Sequence, residues 1–232
     1  MKSRTELPWT FLDEFRGTDF KGEWPTVPEM FGISCRRFPA RPCFTVFEPD
    51  RITLTYSETL DCVKRLSNWM LSQGIQKGDK IAVSGKNSPE WAAVYLAALF
   101  SGAVIVPIDY GLHNEEIDNL LAASKPRIFF VDEEKIAYFD KNPSGAAIYS
   151  LSCKDSLRYV FSLVSENNFT AEMPACDDLA AILFTSGTTG NPKGVMLTHR
   201  NFVVQLDDLK TRVILYPGEK AIVVLPVWHS FE

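Results

Sequence analysis

Apolar positions along this chain follow two alternating patterns. Continuous apolar runs at Lys80–Ser84, Ala103–Ile108, Arg127–Val131 and Leu179–Phe184 read as strands buried on both faces. Between them the spacing turns helical. Thr55-x-x-Glu58 is a capping box, Leu60, Val63, Leu66 and Met70 carry the helical period after it, and Gly74 ends the helix. Ser88-Pro89-Glu90 caps a second helix over Pro89–Ser101, and Glu115–Ala123 reads as a third. A further strand is predicted near Ala146–Leu151, a helix near Asp155–Val164, a helix from Thr198 to about Arg212, and a closing buried strand at Lys220–Pro226. Phe44–Phe47 and Ile52–Leu54 bracket Glu48-Pro49-Asp50-Arg51 as a small hairpin. Strands alternating with helices predict an α/β fold of layered parallel sheets with helices on both faces. Residues 1–29, rich in aromatics and proline but without period, read as an N-terminal arm, and residues 30–232 as the domain. The polar stretch Ser165–Asp178 is the one linker-like segment.

Trp91–Ile108 holds no charge over eighteen residues, close to the length of a membrane helix. Ser101-Gly102 in its middle and Pro107 near its end divide it into a buried helix and a buried strand instead. Hydrophobic content of 46% and charged content of 23% are those of an ordinary globular domain. The net charge is −5 and no Lys/Arg run exceeds Arg36-Arg37, which argues against a nucleic-acid partner. Five scattered cysteines without a Cys-x-x-Cys pair point to reduced thiols, no zinc site and a cytoplasmic setting. The first residues lack the apolar core of a signal peptide.

The chemistry concentrates after the strand Leu179–Phe184. Thr185 to Gly194 holds one serine, three threonines, three glycines and a lysine. Glycines let several backbone N–H groups converge on one centre, hydroxyls add short donors, and Lys193 adds a mobile positive charge. Charge-assisted hydrogen bonds contribute about 1.5–3 kcal/mol each, so a few of them hold a polyphosphate firmly. Pro192 rather than glycine precedes Lys193, so this is not a Walker loop, and no kinase Gly-x-Gly-x-x-Gly is present here.

Phe184 to His199 resembles the phosphate-loop signature of the adenylate-forming ligases: acyl-CoA synthetases, luciferases and peptide-synthetase adenylation domains. Looser similarity runs through Thr55-Tyr56-Ser57-Glu58 and Gly78–Asp109, so the resemblance covers roughly residues 30 to 232. It implies the N-terminal portion of that family's large domain, with Thr185, Ser186, Gly187, Thr188, Thr189, Gly190 and Lys193 around the ATP phosphates. It also implies Mg²⁺ carried with ATP, held by a carboxylate that lies beyond Glu232 in the family. Leu225-Pro226-Val227-Trp228-His229 resembles the next motif as written in long-chain fatty acyl ligases, which places Trp228 and His229 at the mouth of an acyl pocket. A buried, satisfied histidine is the alternative for His229. No catalytic or metal-binding residue is assignable in this segment. The implied substrates are ATP, a long-chain fatty acid and a thiol, CoA or an acyl-carrier protein, with room for peripheral membrane contact. His199, beside the helix cap Thr198, reads as polar surface. The segment is expected to be an N-terminal piece, inactive by itself. Two other readings stay open: a phosphohydrolase or kinase sharing only the loop, and a non-catalytic nucleotide- or acyl-binding module.

Overall fold

A computed structural model of the chain describes residues 10–47, 51–141, 144–155, 157–165, 168, 170–185, 192–210 and 218–223. Helix α1 (Val27–Arg37) opens on a capping box in which Thr26 and Glu29 satisfy each other's backbone N–H groups. It crosses the expected border between arm and domain at residue 29/30. Strands β1 (Pro42–Val46) and β2 (Ile52–Thr55) form the anticipated antiparallel hairpin as a separate two-stranded sheet. Thr55 then caps α2 (Tyr56–Ser72) with Glu58 as its box partner.

The main sheet is built from β3 (Lys80–Ser84), β4 (Val104–Pro107), β5 (Ile128–Val131), β6 (Ala147–Ser150), β7 (Leu179–Thr185) and β8 (Lys193–Thr198). Their order across the sheet is β6-β5-β3-β4-β7-β8. All neighbours pair parallel except β7 and β8, which are antiparallel. Helix α3 (Pro89–Phe100) connects β3 to β4, α4 (Asn114–Ser124) connects β4 to β5, and α5 (Glu133–Lys141) connects β5 to β6. Alternating strand residues divide the core. Ile81, Val83, Ile105 and Phe130 pack with α2 and α3 through Leu66, Trp69, Met70, Trp91 and Val94. Ala82, Val106, Phe129 and Val131 face the other way, onto Ile117 and Leu121 of α4 and Ile136 and Phe139 of α5. Burying both faces is what the continuous apolar runs require.

Several expectations change. The helix near Asp155–Val164 is replaced by turns and a short 3-10 segment at Val160–Ser162. The backbone there is held against β6, with Ser150 N–H donating to Arg158 O at 2.8 Å, and the Arg158 side chain is tied to Asp155 and Asp140. Lys220–Val223, the described part of the expected closing strand, is not a strand, and Ile222 is 86% exposed. None of the described strands pairs with it, so its apolar run has no ladder to join. The last helix among the described residues, α6 (His199–Lys210), starts as expected behind Thr198. Asn201 Oδ1 accepts from the Thr198 N–H and hydroxyl at 2.9 and 3.0 Å. Trp91–Ile108 divides into α3 and β4, and among the described residues no helix is long and apolar enough to cross a membrane.

Candidate phosphate-loop site

Seven residues, 186–192, join β7 to β8. A parallel return needs a crossover of a dozen residues or more, so this length forces an antiparallel hairpin. The register sets Thr185 directly opposite Lys193, both exposed at the hairpin's tip. Ser186, Gly187, Thr188, Thr189 and Gly190 lie outside the described residues, as do Trp228 and His229. Two of the seven candidate phosphate ligands are therefore placed, and they are adjacent.

The tip's anchorage is legible in the packing. Ile182 and Phe184 of β7 rest against the core face that holds Ala82 and Val106. Gly194, opposite Phe184, leaves room for them; a Cβ there would stand 2.8 Å from Ile182 Cγ2 and 3.5 Å from Phe184 Cε1. Because β7 runs parallel to β4, its loop leaves from the carboxyl ends of the strands, the edge where open α/β sheets bind ligands. A second polar group gathers on this edge. Glu134 accepts from Lys86 Nζ at 2.9 Å and from the Tyr110 hydroxyl, while the Lys86 and Lys135 ammonium groups stand 5.3 and 5.4 Å from the Tyr110 ring centre. The Tyr110 hydroxyl and Lys86 hold Glu134 below the usual carboxylate range. Burial lifts Asp132 above it, opposed by the Lys86 N–H at 3.0 Å. Exposed ion pairs of this sort add little stability, so the cluster shapes charge more than stability.

The hairpin's base is held differently from its tip. His199 is buried, at 1% exposure, rather than lying on the surface as the sequence suggests. Its Nδ1 accepts the Val27 N–H at 3.4 Å, across 172 positions of sequence. Burial pushes its pKa down to about 4, against the upward pull of Asp178. Its backbone N–H donates to Asp178 O, and the next N–H, of Arg200, to Cys176 O at 2.8 Å. The Cys176 thiol donates to the carbonyls of Trp24 (2.9 Å) and Pro25 (3.2 Å), and burial raises its pKa to about 11. Arg200 grips both oxygens of Asp177 at 2.7 and 3.0 Å, and Lys77 Nζ lies 2.8 Å from Asp178. These tertiary partners were invisible in the linear pattern; the glycine–threonine tip was not.

Thr185 and Lys193 offer a hydroxyl and an ammonium side by side at the ligand-binding edge, a donor set that fits a polyphosphate. For a metal ion the described residues contain no group of three or more His, Cys, Asp or Glu placed to hold one. The chain belongs to the AMP-binding enzyme family, whose pattern matches residues 31–232. It is 29% identical over 90% of its length to a feruloyl-CoA synthase of an Amycolatopsis species, covering 39% of that protein. It is 32% identical over 99% of its length to the medium-chain fatty-acid–CoA ligase of Escherichia coli, covering 43%. It thus spans less than half the length of these relatives. In three dimensions it is similar to the N-terminal domain of FACL13 from Mycobacterium tuberculosis, with a TM-score of 0.78, 22% identity, and 89% of this chain and 52% of that one aligned.

Proposed function

We propose that this chain is the phosphate-gripping part of an AMP-forming acid–thiol ligase. The carboxylate of an organic acid attacks the α-phosphorus of ATP, giving acyl-AMP and pyrophosphate, and a thiol then displaces AMP. The observation that carries the reading is the β7–β8 hairpin, which presents Thr185 beside Lys193 at the carboxyl edge of the sheet. In the proposal Thr185 and Lys193 bind the β- and γ-phosphates, joined by Ser186, Gly187, Thr188, Thr189 and Gly190. Donors fixed before reaction stabilise charge that spreads over phosphate oxygens without reorganising. Mg²⁺ bound with ATP would neutralise phosphate charge.

A long-chain fatty acid is the proposed acid and CoA the proposed acceptor, with an acyl-carrier protein the alternative thiol. The Leu225-Pro226-Val227-Trp228-His229 stretch supports an acyl pocket bordered by Trp228 and His229. Names among the relatives include a medium-chain fatty acid and ferulate, which are the competing acids for the test. A cytoplasmic protein with an accessory arm at residues 1–29 and peripheral membrane contact completes the proposal. The test is acid-dependent exchange of labelled pyrophosphate into ATP by the polypeptide that carries this segment. The panel runs from short to long fatty acids and includes ferulate. Exchange peaking with long acids supports the whole reading; a ferulate peak reassigns the acid. Binding of ATP without exchange on any acid would overturn adenylation in favour of a nucleotide-binding module.

A further inference from the structure

The hairpin that carries the phosphate loop meets the rest of its sheet on one side, where β7 borders β4. Its registered pairing with β4, Ile105 opposite Ala181, lies toward the base of β7, and among the described residues β8 is the outermost strand. From base to tip it extends about 20 Å at the usual rise of a strand. A rotation of about 10° at the base would therefore carry Thr185 and Lys193 some ~3.5 Å, more than a hydrogen bond tolerates. The tip's direction is therefore set by the packing of Ile182 and Phe184 against the core together with the contacts at the base.

Three segments distant in sequence meet there. Trp24–Val27 of the arm, Cys176–Asp178 before β7, and His199–Arg200 after β8 are tied by the thiol, imidazole and backbone hydrogen bonds described above. Val27 and Phe202 both pack against the same core, next to α3. Thr26, which starts α1, is 2% exposed, so the arm's end of the contact is itself rigidly capped. The region matching the family begins at residue 31, so the arm's share of this contact lies before it.

We propose that the arm segment Trp24–Val27, acting through His199 and Cys176, is a brace that positions the phosphate-loop hairpin for ATP. His199 is in this sense a positioning residue; it lies at the base, six strand residues from Lys193. The inference rests on the phosphate-loop reading for its ligand, but the brace itself is a statement about the hairpin.

The experiment uses the 232-residue chain, MgATP titrated calorimetrically, and amide hydrogen exchange along β7 and β8. His199→Leu fills the site but cannot accept the Val27 N–H. Val27→Pro deletes that donor at the first position of α1, where proline is tolerated. His199→Asn returns an acceptor near the Nδ1 position. Losing one buried hydrogen bond at the base should weaken MgATP about fivefold and speed exchange along β7 and β8 in H199L and V27P, with H199N close to the unaltered chain. A purely structural histidine would lower the melting temperature and leave affinity and hairpin exchange of the folded variants unchanged, which would overturn the brace. Should H199L not fold, V27P alone carries the comparison. An unaltered chain that fails to bind MgATP would instead count against the phosphate-loop reading, and exchange alone would then decide the brace.

Discussion

Acidification should unfold this protein partly through one side chain. His199 is buried with its pKa pushed down to about 4, whereas in the unfolded chain it titrates near its ordinary value of about 6.5. Between those values the unfolded state binds a proton that the folded state refuses, so stability is full above about pH 6.5 and falls as pH drops through the window. Integrating the linkage over that interval gives a loss of about 2 kcal/mol at pH 5 and about 3 kcal/mol at pH 4. A domain of ordinary stability, about 5–15 kcal/mol, would feel that strongly. Urea unfolding followed from pH 7.5 to 5.0 measures it, with His199→Asn as the comparison. Carboxylates and the other histidines are shared by both proteins, so the difference between the two pH profiles isolates residue 199. The unaltered chain should lose about 2 kcal/mol more than H199N by pH 5. Parallel profiles would refute the reasoning, because they would mean His199 is hydrated or paired strongly enough to keep its ordinary proton affinity.

Three further outcomes are expected. Lys193→Ala should lower MgATP affinity of this chain about tenfold through loss of one charge-assisted contact, and equal titration curves for the two proteins would remove Lys193 from the site. Gly85→Ala should cost about 1–3 kcal/mol in urea unfolding, since its Cβ would meet Leu151 Cδ1 at 2.4 Å and Asp132 Oδ1 at 3.1 Å; an unchanged midpoint would show that β3's exit has room to spare. Thr26→Ala should cost about 1 kcal/mol by opening the α1 capping box, and wild-type stability would show that Glu29 caps the helix unaided.

What the linear pattern could show depended on how local the cause was. β3, α3, β4, α4 and β5 were readable because each is a continuous or periodic apolar segment bounded by its own cap or glycine. Two helices went unread although their signals were present: the Thr26–Glu29 box before α1, and Glu133-Glu134 followed by Ile136 and Phe139 in α5. Asp155–Val164 failed for the opposite reason, since a tertiary bond from Ser150 to Arg158 overrides its local preference. The antiparallel return of β8 could have been inferred from loop length alone. At the site, the composition of Thr185–Gly194 pointed to phosphate without any structure. The burial of His199 could not be foreseen, because its partners Val27 and Asp178 are brought to it only by the completed fold.

The position of β4 has a consequence for how the chain assembles. Strands β3 to β6 and their helices follow one another closely along the sequence, so a chain leaving the ribosome can close that sheet early. β7, β4's outer neighbour, arrives only after more than seventy further residues. Until then Val104, Ile105 and Val106, all buried in the finished molecule, form an open apolar edge able to template another chain. Pro107, which has no N–H to offer, shortens that edge at one end. The β7–β8 hairpin is thus also the seal on the outer edge of β4, and among the described strands it is the last pair to be laid down.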